Sequence, residues 1–128
     1  MVRLRIAISV AVIALTLAAC GGNAGPTTTE GPVGPGDVTR GVEVYKGTCA
    51  TCHGGDAGGI DGLGKPLAGS AFVASETETE LADFIEVGRD RNDPDNTTGV
   101  DMPPKGGNPS LTSQQLRDVA AYLISLNP

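Results

Sequence analysis

Three observations predict an all-α domain. Apolar residues recur at spacings of three and four near both ends of the region after residue 37, no alternating strand pattern occurs, and long Gly- and Pro-rich stretches separate the helical segments. Three main helices are expected, wrapped around something bulky. The chain is 39% hydrophobic but only 3% aromatic, with no Trp, and four rings (Tyr45, Phe72, Phe84, Tyr122) are few for filling a core. A large flat bound group would supply the missing apolar surface, as small domains often need an extra fastener.

The 128 residues suffice for one small domain. Residues 1–19 read as an export signal: Arg3 and Arg5 open it, and Ile6 to Ala18 is apolar apart from Ser9 and Thr16. That run is short for a membrane span, which needs about 20 residues. It ends in Leu17-Ala18-Ala19-Cys20, which resembles the lipobox of bacterial lipoproteins. The resemblance implies cleavage before Cys20 and attachment of a diacylglyceryl group to its thiol; an ordinary secretory signal or an uncleaved anchor is the plainer alternative. Residues 20–37, rich in Gly, Pro and Thr, then form a lipid-anchored flexible tether, stiffened by Pro26, Pro32 and Pro35. Fully extended it reaches on the order of 50 Å, at about 3.3 Å per residue. The folded domain spans residues 38–128.

Its first helix runs from Thr39 or Arg40 to about Thr48, with Gly41, Tyr45 and Cys49 at spacings of four on one face. Gly41 costs helix stability, which close approach by another helix would explain; a helix that simply frays there is the plainer alternative. Cys49-Ala50-Thr51-Cys52-His53 follows, a C-x-x-C-H pattern, the attachment signature of a c-type haem. Two thiols at this spacing can add to the two vinyl groups of a porphyrin edge, and the next imidazole can bind iron. A redox dithiol would sit in a βαβ setting, and a structural zinc site would need further ligands. His53 is the only His.

Residues 54–69 contain seven Gly and Pro66 and form a loop that can pass close to a bulky group. The second helix starts at a capping box, either Ser75 with Glu78 or Thr77 with Glu80, carries the stripe Leu81, Phe84 and Ile85, and ends at Gly88 and Arg89. Another loop spans residues 89–110, with turn chemistry at Asp93-Pro94-Asp95-Asn96. Its carboxylates lack the spacing of an EF-hand calcium site. The last helix opens with Thr112 and Gln115, and Leu116, Val119, Ala120, Leu123 and Ile124 form its stripe, with Tyr122 beside it and able to pack on Tyr45 or Gly41.

With the signal removed, Met102 is the one remaining Met. Pro103 holds it in extended backbone, so a thioether can be pressed toward iron opposite His53; a Met that merely fills a gap is the alternative. Cysteine usage agrees. Of three Cys, two serve haem and Cys20 serves lipid, leaving none for a disulfide. Processing moves the formal charge from -6 to -8, since Arg3 and Arg5 are the only charged side chains lost. Such an acidic chain has no electrostatic reason to bind nucleic acid. A redox protein with a basic docking surface suits it better; acidity that serves solubility alone is the plainer alternative.

Residues 38–128 resemble a class I monohaem cytochrome c. The motifs that carry the resemblance are Gly41 and Tyr45 ahead of Cys49-x-x-Cys52-His53, then Gly64-Lys65-Pro66-Leu67, Met102-Pro103, and Val119-x-x-Tyr122-Leu123. It implies one covalent haem c on Cys49 and Cys52, His53 and Met102 on the iron, and first and last helices crossing near Gly41 and Tyr122. It also implies that the Pro66 carbonyl accepts from Nδ1 of His53, a contact that orients the ring; Lys65 stands where Gly is more usual. Arg89, Arg91 and Lys105 are candidates to pair with propionates.

Those expectations describe a monomeric, extracytoplasmic one-electron carrier, lipid-anchored to a bacterial membrane. It would act on no small-molecule substrate and shuttle electrons between membrane-associated redox partners. If Met102 does not bind iron, a haem subunit of a peroxidase or dehydrogenase, or a haem-based sensor, becomes the alternative.

Overall fold

The computed structural model describes residues 31–128. The export signal and Cys20 lie outside the described residues. The domain is helical, in the order α1 Val38–Val44, a π-helical turn Tyr45–Cys49, α2 Ala50–His53, α3 Ala71–Ser75, α4 Glu78–Val87, a 3-10 turn Pro104–Gly107 and α5 Ser113–Ser125. Among the described residues the only β-type pairing is two isolated bridges, Ile60 with Gly64 and Arg89 with Met102. The domain is therefore all-α, as expected.

The N-terminal helix is longer than its sequence suggests. Asp37 caps it by accepting from the Arg40 amide at 2.8 Å, and helical backbone continues through the π-turn to His53. The Ala50 amide there bonds the Tyr45 carbonyl, five residues back. This wider turn offsets Tyr45 from Cys49, which an unbroken α-helix would stack one above the other.

Tyr45 is fully buried. Its hydroxyl donates to the Gly54 carbonyl at 2.7 Å, so its polar tip is satisfied at the helix end. Its ring meets Tyr122 edge-on, with centroids 5.3 Å apart. Here α1 crosses α5. A methyl group built on Gly41 would lie 2.0 Å from the Asp118 carbonyl oxygen and 2.8 Å from Cβ of Tyr122. The backbones meet at that point and leave no room for a side chain.

The last residues of the segment assigned to the tether bond to the folded domain. The Gly34 amide donates to Gln114, that of Gly36 to Glu78, and that of Asp37 to Asp118. Residues 34–37 are thus docked on α5 and the start of α4. The cause is a set of acceptors presented by α5, with Asp118 at its centre and fully buried.

α3 was not anticipated. Ser70 caps it and also donates its amide to Asn127, which bonds the Leu67 and Leu123 carbonyls as well. Because α3 uses Ser75 as its last residue, α4 takes the second of its two possible caps, the Thr77–Glu80 box. α5 begins at the Thr112–Gln115 box. Leu116, Val119, Ala120 and Leu123 of α5 pack with Leu81, Ala82 and Ile85 of α4, Val73 of α3, and Tyr45.

Candidate functional site

A helix places residues i, i+3 and i+4 on one face, so Cys49, Cys52 and His53 project together. They form one wall of a cavity of about 550 Å³. Leu81, Phe84 and Ile85 of α4, with Val119 and Leu123 of α5, supply its apolar floor, and Met102 and Pro103 line it from the later loop. Pro66 and Leu67 border it from the first loop. Cys49, Cys52, His53, Pro66 and Met102 therefore border the same space. The volume lies in the range of roughly 300–1,000 Å³ usual for cofactor sites.

His53 is oriented by a carbonyl, but not by the expected one. Nδ1 donates to the Lys65 carbonyl at 2.8 Å, not to that of Pro66. Gly64 packs so tightly on the end of α2 that a Cβ there would lie 2.2 Å from the Cys52 carbonyl oxygen. Proline then holds the residue before it extended, and Lys65 presents its own carbonyl to the imidazole. Pro66 contributes its ring to the cavity wall and its constraint on Lys65. A proton fixed on Nδ1 leaves the Nε2 lone pair free for a metal.

The Cys49 thiol is pushed up to about 11, first by burial and then by neighbouring Cys52, so it stays neutral at physiological pH. Both Cys are free of disulfides, and among the described residues no cluster of three or more His, Cys, Asp or Glu could hold a metal ion. The donor set fits haem: two thiols beside an imidazole, a thioether in the same cavity, and a lining that is mostly apolar.

A family model described as "Cytochrome C oxidase, cbb3-type, subunit III" matches residues 36–123. The chain belongs to the cytochrome c family. Cytochrome c-555 of Prosthecochloris aestuarii is 37% identical over 101 residues, covering 76% of this chain and 95% of that protein. Cytochrome c-555 of Chlorobaculum thiosulfatiphilum is 31% identical over 88 residues, covering 69% of this chain and 94% of its own length. The cytochrome c subunit of a quinone alcohol dehydrogenase from Gluconacetobacter polyoxogenes is 34% identical over 83 residues, 65% of this chain but 18% of that subunit.

The cytochrome accordingly carries covalent haem c and works by haem-based electron transfer rather than as an enzyme. Cytochrome c domains of this family are extracytoplasmic. Among the described residues no helix is long and apolar enough to cross a membrane.

Sequence reasoning missed three features of the site. The Lys65 carbonyl was legible in principle, because Lys-Pro fixes the backbone before the proline. Arg89, expected only as a helix end and a possible propionate partner, bonds Met102 through its backbone. Phe72 and Phe84 meet edge-on at 5.0 Å, and the Arg89 guanidinium lies over both rings, 5.3 and 4.8 Å from their centroids. No local pattern announces that shelf, since it joins α3, α4 and a loop.

Proposed function

We propose that this cytochrome is a one-electron carrier whose haem is bonded through Cys49 and Cys52 and whose iron is bound by His53 on one face and Met102 on the other. The observation that carries this reading is that His53, at the end of α2, and Met102, on a loop paired to Arg89, line one cavity. When bound, haem supplies the one-electron couple. The chain's own task is to hold both ligands still, so that the couple changes charge with little change in geometry. The Lys65 carbonyl orients the imidazole, and the Arg89 backbone anchors the thioether loop. A thioether favours the reduced metal and raises the potential.

On this reading residues 1–19 are a lipoprotein signal, Cys20 carries the lipid, and the tether ends where residues 34–37 meet α5. The protein then acts as a tethered monomer outside the cytoplasm, exchanging electrons with membrane-associated redox proteins that present basic docking surfaces. Similarity to a dehydrogenase subunit and to the CcoP subunit of a cbb3-type oxidase from Rhodobacter capsulatus supports oxidoreductase partners. The chain spans 29% of that CcoP subunit, which also favours a second reading, a haem module of a larger complex. Stoichiometric co-purification with oxidoreductase subunits would select it.

Substitution tests the ligand assignment. Met102→Ala should lower the midpoint potential and abolish the weak far-red band of sulfur-ligated ferric haem. An unchanged potential with the band retained would refute ligation by Met102.

A further inference from the structure

The cavity has a charged end. Beside His53, its charged lining residues are Lys65, Arg89, Asp95 and Asp101. Asp101 is committed to Arg91, whose backbone amide, Nε and Nη2 all donate to it. Lys105 bonds the Leu111 carbonyl, pairs with Glu86 at 3.8 Å, and does not line the cavity. Of the three cations first considered for propionates, Arg91 and Lys105 are thus occupied elsewhere.

Arg89 and Lys65 differ from these. Lys65 Nζ donates to the Asp95 carbonyl at 2.9 Å, and Arg89 Nη1 reaches the same oxygen at 3.5 Å. The two cations belong to different loops and converge on one neutral acceptor. The Asp93 carboxylate lies 3.8 Å from Nε of Arg89. A guanidinium has five donors and an ammonium three, far more than these contacts use. Arg89 is also held in place: its side chain is 19% exposed and stacks on Phe72 and Phe84.

We propose that Lys65 and Arg89 form a two-cation seat for the carboxylates of the haem, at the mouth of the cavity. This rests on the reading of that cavity as the haem site. Both are positioning residues and do not touch iron. Their electrostatic effect has a definite sign. Ferric haem carries one more positive charge than ferrous haem, so an uncompensated carboxylate nearby favours the ferric form. Removing either cation should therefore lower the potential.

The test uses the full-length holoprotein and five variants, Lys65→Gln, Arg89→Gln, the double variant, Arg89→Lys and, as a control, Arg117→Gln, which with its partners Thr79 and Glu78 lies outside the cavity lining, all titrated spectroelectrochemically at one ionic strength. Each single change at Lys65 or Arg89 should reduce the ferrous-to-ferric ratio at fixed poise several-fold. The double variant should reduce it about tenfold, which is 59 mV for one electron. The far-red band should persist, Arg89→Lys should restore the Arg89→Gln loss, and Arg117→Gln should change nothing. If Arg89→Gln fails to fold, the exposed Lys65 side chain still gives the reading through Lys65→Gln.

An unchanged potential in the double variant with haem attached would overturn the seat. So would an equal drop in Arg117→Gln. Loss of haem from the unsubstituted protein under acid-acetone would instead overturn the haem-site reading beneath it.

Discussion

Arg89 and Met102 exchange two backbone hydrogen bonds: the Arg89 amide donates to the Met102 carbonyl at 2.8 Å, and the Met102 amide to the Arg89 carbonyl at 2.9 Å. The end of α4 is thereby paired with the residue expected to bind iron, and the intervening loop is closed. Gly88 makes the pairing possible. It sits at φ 75°, ψ -163°, and a Cβ there would lie 2.2 Å from the Met102 carbonyl oxygen.

Gly88→Ala should therefore loosen Met102 without touching it. The added methyl meets backbone, and the residue must hold a positive φ that Ala disfavours. Overpacking of this kind costs about 1–3 kcal/mol. The far-red band should weaken and carbon monoxide should bind the ferrous form faster. An unperturbed band would show that the pair does not restrain Met102.

The helix crossing makes a separate prediction. Gly41→Ala places a methyl against the Asp118 carbonyl and Tyr122. It should destabilise the domain by about 3 kcal/mol, the upper end of overpacking costs. Thermal unfolding of the holoprotein followed by circular dichroism measures this. A shift of a degree or less would mean that the helices separate there at no cost.

Asp118 should make the fold sensitive to acid. Burial alone would push its carboxyl up, but hydrogen bonds from Arg40, the Asp37 amide and Gln114 outweigh that and hold it below the usual carboxylate value. The unfolded chain then binds the proton more tightly than the folded one. Its contribution is complete above about pH 4, the ordinary Asp value, and is lost as pH falls through the lowered folded value. Glu80, bonded to Thr77, and Asp101, bonded to Arg91, are lowered too and act in the same direction. Asp118→Asn should cost about 2 kcal/mol at neutral pH and flatten the acid limb of the unfolding curve. An unchanged acid midpoint would remove Asp118 from the account.

The lipid anchor has its own measurement. Cys20→Ser should leave the protein in the soluble extracytoplasmic fraction or block its processing. Normal cleavage with full membrane retention would end the tether reading.

The sequence by itself determined what is local. The spacing of Cys49, Cys52 and His53 is one helical face, the boxes at Thr77–Glu80 and Thr112–Gln115 start their helices, and Met102 stands before Pro103. Each of these works through neighbours a few residues apart, so pattern and chemistry coincide. Gly41 belongs here as well, because a helix-weakening residue in a helix implies a reason.

Tertiary structure decided the rest. Residues 34–37 read as linker until α5 offers them acceptors some eighty residues away. The choice of the Lys65 carbonyl over that of Pro66 depends on how closely Gly64 can approach α2. The Phe72–Phe84 shelf under Arg89 exists only once three segments meet. Such features arise where backbones and rings far apart in the chain come into contact, and contact distance is a quantity that composition and periodicity do not encode.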